Sequence, residues 1–62
     1  MESYEVALDS DEDLSLVQNW ARVHLARMER IAPKIVNVSF DGELEDDFVE
    51  FCEMHDIPCR LL

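Results

Sequence analysis

The sequence predicts a two-layer α/β domain of order β-α-β-α-β: a three-stranded, mostly parallel sheet with two helices on one face. Period-two alternation opens the chain and returns at residues 34–40. A 3.6-residue apolar period fills the stretch between them. Helical connections of that length allow parallel neighbouring strands through right-handed crossovers. Because the strands alternate instead of running continuously apolar, one sheet face is expected to stay open. The whole chain, 1–62, is read as one domain.

The first strand is expected over 3–9, where Tyr4, Val6 and Leu8 alternate with Ser3, Glu5, Ala7 and Asp9. Ser10 then offers an N-cap, with Asp13 three residues on and acids through the first turn. A helix over 11–32 follows from the stripe Leu14, Val17, Ala21, Leu25, Met28 and Ala32, with Arg27 and Arg30 in its last turns and Pro33 as its stop. Val36, Val38 and Phe40 against Asn37 and Ser39 give a second strand over 34–40, punctuated by Asp41-Gly42. The second helix is expected over 43–55, with Leu44, Phe48 and Phe51 inward. A short strand over 59–62 follows Pro58.

Five Lys and Arg against fifteen Asp and Glu give a net charge of −10 on 62 residues that are 48% hydrophobic. That is too apolar for an acidic disordered tail. It also lacks the basic footprint that direct nucleic-acid binding needs. The one glycine rules out the phosphate-cradling loops GxGxxG and GxxxxGK. No apolar run is long enough for a membrane span, and the acidic start Met1–Glu5 is opposite in charge to a signal peptide, so a cytoplasmic protein is expected.

In a parallel βαβ arrangement both helix N-termini would share one edge. Asp9, Asp11, Glu12 and Asp13 would then meet Asp41, Glu43, Glu45, Asp46 and Asp47 on a single rim, with Arg27, Arg30, Lys34 and Arg60 toward the other. Acids at helix starts complement the dipole by about 0.3–1 kcal/mol each. Two or three per helix would suffice for that; nine together repel and call for a neutralising partner.

The leading expectation is therefore a protein-binding module that docks its acidic rim on a basic, nucleic-acid-binding surface of another protein. Asp11, Glu12, Asp13, Glu43, Glu45, Asp46 and Asp47 would form the contact, extended by Glu50 and Glu53 along the second helix. The gross profile is similar to that of small phage and plasmid proteins that mimic DNA, including anti-restriction and anti-CRISPR inhibitors; it is a likeness of class, with no shared motif.

The Leu16–Trp20–Val23 flank reads first as packing under the second helix or the sheet edge; the alternative function is a dimeric regulatory or accessory domain binding through it, with Trp20 as an exposed anchor. A third reading places a divalent cation at Asp9, Asp11 and Asp41, at the carboxyl ends of strands.

Catalysis is not expected. The acids lack a phosphate clamp, the chain is too short to close over a substrate, and no nucleophile stands at a suggestive spacing from His24 or His55. Cys52, His55 and Cys59, with His24 as a fourth, have weak zinc spacing and read better as packing residues. No cofactor or metal is expected.

Overall fold

A computed structural model describes residues 1–62 as six principal elements. These are β1 (Glu2–Ala7), α1 (Asp11–Val23), β2 (Arg27–Ala32), β3 (Ile35–Phe40), α2 (Glu45–Met54) and β4 (Cys59–Leu61), with a 3-10 turn at Gly42–Leu44 before α2. The strands form one four-stranded sheet in the order β2-β3-β1-β4, and every neighbouring pair is antiparallel. A three-stranded, mostly parallel sheet is thereby corrected.

The correction begins at the first helix. A helix over 11–32 would be about 33 Å long at about 1.5 Å per residue, whereas the molecule measures 27 Å along its longest axis. The helix instead stops at Val23. His24 caps it, Leu25 turns left-handed at φ 56°, Leu25 N–H bonds the Arg22 carbonyl (3.3 Å) and Ala26 N–H the Ala21 carbonyl (2.7 Å). This is a Schellman termination with leucine where glycine is usual.

Residues 27–32 then pair with β3 across a two-residue turn at Pro33 and Lys34, braced by a 2.6 Å bond from the Arg30 guanidinium to the Pro33 carbonyl. Leu25, Met28 and Ala32 continue the apolar spacing of α1 by coincidence, and Leu25 is 93% exposed.

Strand directions follow from the pairing. β1 and β2 run one way, β3 and β4 the other, and each like-directed pair is separated by a strand of the opposite sense. The chain is thus two interleaved split βαβ units, the connectivity of ferredoxin-like domains.

Tyr4, Val6, Leu8, Val36, Val38 and Phe40 project from one sheet face and pack with Val17 and Trp20 of α1 and Phe48 and Cys52 of α2. Both helices therefore cover the same face. The opposite face is open and carries Ser3, Glu5, Asn37 and Ser39, with Arg60 paired to Glu5 at 2.8 Å.

Trp20 belongs to this core. It is 7% exposed, with ring centroids 4.9 Å from Phe48 and 5.5 Å from Phe40. Trp20 thus packs under the second helix, as the first reading of the flank expects, and its use as an exposed anchor is corrected: of the Leu16–Trp20–Val23 flank only Val23 is exposed.

Candidate functional site: an acidic helix face

The topology separates the two groups of acids that the sequence reading placed together. β1 and β3 are antiparallel, so their carboxyl ends, and the helices that follow them, start at opposite ends of the sheet. Asp9, Asp11, Glu12 and Asp13 lie at the end marked by Ala7, Ile35 and Cys59. Asp41, Glu43, Glu45, Asp46 and Asp47 lie at the end marked by Glu2, Phe40 and Leu61. A single rim of nine carboxylates does not form.

The cations are dispersed as well. Arg30 and Lys34 line a groove with Asp11, and Arg27 lines another with Asp41. A cation held jointly by Asp9, Asp11 and Asp41 is ruled out by the same geometry, and no group of three His, Cys, Asp or Glu side chains is arranged to hold a metal.

At the start of α1 the acids do structural work. Asp13 N–H donates to Ser10 Oγ (3.3 Å), and Asp13 Oδ2 accepts from Asp9 N–H (3.0 Å), which closes the first turn reciprocally. Asp11 and Glu12 are exposed on the same turn, where the dipole favours them.

α2 differs. Leu44 stands at its N-cap and supplies no side-chain bond. Glu45 is half-buried and accepts a 2.7 Å hydrogen bond from the Tyr4 hydroxyl. That bond, burial and the surrounding carboxylates push the Tyr4 pKa up to about 12. Glu45 is thus tied to the core and leaves the exposed set.

The remaining acids point outward. Glu43, Asp46, Asp47, Glu50 and Glu53 are all exposed, and Asp56 adds a further carboxylate just past the helix. Phe48 and Cys52 on the opposite side are buried, so the helix is divided lengthwise into an apolar and an acidic half. Residues 41–56 contain no Lys or Arg, and the one salt bridge of the molecule is Arg60–Glu5 on the open sheet face. No carboxylate of α2 is internally neutralised. Asp56 escaped the sequence reading because it sits at the left-handed residue after the helix (φ 55°), where it reads as a turn former.

The cysteines and histidines have structural places. Cys52 is 1% exposed, and burial, with Cys59 beside it, pushes its thiol well above the ordinary range. His55 packs on Phe51 at the end of α2, at a centroid distance of 4.9 Å. His24 stacks on Trp20 at 4.2 Å, and its Nδ1 lies 2.9 Å from the Trp20 carbonyl. His24 ends α1 and His55 ends α2, at opposite ends of the sheet, so the two histidines do not come together with the cysteines in one metal-holding group. No helix is long and apolar enough to cross a membrane.

No protein-family model, curated protein or solved structure matches this chain.

Proposed function

We propose that the protein is a binding module whose contact surface is the outer face of α2, and that its partner is a protein with a basic surface. One observation carries this reading: carboxylates persist along α2 past the turn where a helix benefits from them. Asp46 and Asp47 complement the positive end of the dipole. Glu53 and Asp56 sit at the negative end, where anions are disfavoured. Asp56 suits its left-handed position, but folding does not call for Glu53 there, and no cation in the chain pairs with either.

The most concrete partner is a nucleic-acid-binding groove that the protein occupies as an inhibitor. Glu43 to Glu53 covers about 15 Å of helix at about 1.5 Å per residue. Its five exposed carboxylates are stepped by about 1.5 or 4.5 Å along the axis and average about 3.8 Å, a mean charge density near the roughly 3.4 Å per phosphate of a single DNA strand. A groove built for phosphates would meet a similar charge density on a rigid rod. Electrostatic steering would make association fast and salt-sensitive.

The test is capture of binding proteins on immobilised wild-type chain and, in parallel, on the Asp46→Lys/Asp47→Lys/Glu50→Lys variant, which spares Glu45 and its bond to Tyr4. Wild type should retain basic proteins that duplex DNA or RNA elutes, and the variant should lose them while keeping its circular dichroism, with only the modest drop in melting temperature that reversing the first-turn charges of Asp46 and Asp47 brings. Equal capture by both chains would refute the proposal.

A further inference from the structure

The two sheet edges differ. β4 is three residues long, whereas β2 spans six with no strand beyond it and keeps a regular register with β3 from Arg27 to Arg30. A long open edge offers unpaired backbone groups to another chain.

Which groups those are follows from the ladder. Leu8 N–H bonds the Lys34 carbonyl, while Ala7 N–H bonds the Pro58 carbonyl and the Ser3 carbonyl accepts from Leu62 N–H. Even-numbered residues of β1 therefore bond toward β3 and odd-numbered ones toward β4. Carried through the registers Val6↔Val36 and Glu29↔Asn37, Arg27 and Glu29 bond inward to β3. The N–H and C=O groups of Met28 and Arg30 consequently face outward.

The side chains at this edge are self-complementary in one register. A two-fold axis perpendicular to the sheet must pair residues of the same face. Centred on Glu29 it opposes two carboxylates, and centred on Arg30 it opposes two guanidinium groups. Centred on Met28 it sets Arg27 against Glu29 of the second copy, twice, on the open face. In that register Met28 exchanges both backbone bonds with its symmetry mate. Arg30 N–H reaches the Ala26 carbonyl of the second copy, and the Ala26 N–H is already taken by Ala21. The regular edge ends on either side of these residues, at the left-handed Leu25 and at the register shift between Arg30 and Ala32.

Charge also favours this approach. Residues 14–40 contain four of the five cations and Glu29 as their single carboxylate. Two molecules of charge −10 that meet along β2 keep their acidic α2 helices on the far sides.

We propose that the occupant of the β2 edge is a second copy of this chain, paired antiparallel about Met28 to give a continuous eight-stranded sheet with the two α2 faces outermost. Neither the pairing nor its test depends on the binding function of α2.

Sedimentation equilibrium at about 0.15 M salt, where the Debye length is near 8 Å, tests it with three chains. The wild type should show a reversible monomer–dimer equilibrium within the micromolar to millimolar range. Arg27→Glu, which places like charges opposite twice, should weaken association by about tenfold or more. Arg27→Glu/Glu29→Arg should restore the wild-type constant. All three should retain the same circular dichroism and melting temperature, since both positions are exposed. A wild-type monomer at millimolar concentration, open-ended oligomers, or a dimer indifferent to the charge swap would overturn the proposal.

Discussion

α1 and α2 perform the same task in two equivalent βαβ units, yet their outer faces have little in common. Each lays an apolar stripe on the same sheet face, and each ends in a histidine cap followed by a left-handed residue and a Schellman pair of hydrogen bonds. Outside, α1 presents Ser15, Gln18, Asn19 and Arg22, with its acids confined to the first turn. α2 presents Asp46, Asp47, Glu50 and Glu53 and no cation. α1 therefore shows what covering this sheet requires of a helix exterior, and a line of carboxylates is not part of it. The excess on α2 needs another cause, and binding supplies one.

The inner halves should behave alike and the outer halves should not. Removing a shared core ring has the largest effect. Trp20→Ala should destabilise the protein by about 3–5 kcal/mol, and Phe48→Ala, fully buried on the other helix, should cost as much. Urea or thermal denaturation measures both. A Trp20→Ala protein of unchanged stability would return that residue to the surface.

Next is the bond that α2 makes and α1 lacks. Tyr4 is the only tyrosine, so tyrosinate absorbance reports it alone. The folded protein should titrate near 12, and Glu45→Ala should move the midpoint down toward the ordinary 10.0. The folded pKa lies above the unfolded one. The associated stability is therefore present below about pH 10 and is lost as the pH rises toward 12. A wild-type midpoint at 10.0 would contradict the buried bond.

The two helix ends differ in strain. Leu25 occupies a left-handed conformation that costs a branched residue about 1–2 kcal/mol, while aspartate at the equivalent position 56 tolerates it better. Leu25→Gly should stabilise the monomer by about 1 kcal/mol, and Asp56→Gly by less. Equal gains would mean that the backbone, not the side chain, sets the strain.

The smallest effect is the most informative about α2. Glu53→Lys places a cation at the negative end of the dipole and should stabilise the chain by about 0.3–1 kcal/mol while weakening partner binding. Opposite signs for stability and binding are the signature of a residue held for contact.

Much of this was legible in the sequence. The alternation of Tyr4, Val6 and Leu8, the Ser10–Asp13 cap, the Val36–Val38–Phe40 strand and the start of the second helix each appear in the local pattern. The hairpin did not. Arg27, Met28, Glu29 and Arg30 have good helix propensity and keep the apolar spacing of α1, while the stop signal at position 25 is a leucine in place of glycine. Tertiary pairing with β3 overrode propensity there.

That one missed hairpin added a strand, made every pairing antiparallel and moved the second helix start to the far end of the sheet. Individual acidic residues were legible as candidates, but their grouping was not, because grouping depends on topology. The outward projection of Glu50 and Glu53 needed only the 3.6-residue period and was readable from the outset.

The central claim is that contact lies on α2 and not at the acidic start of α1, and a matched pair of neutralised chains tests it. Binding of one captured basic partner is measured by titration calorimetry for Asp46→Asn/Asp47→Asn/Glu50→Gln and for Asp11→Asn/Glu12→Gln. The α2 variant should lose at least about tenfold in affinity, corresponding to about 1.4 kcal/mol, and show a shallower salt dependence, with the α1 variant close to wild type. Loss confined to the α1 variant, or equal loss in both, would contradict the account.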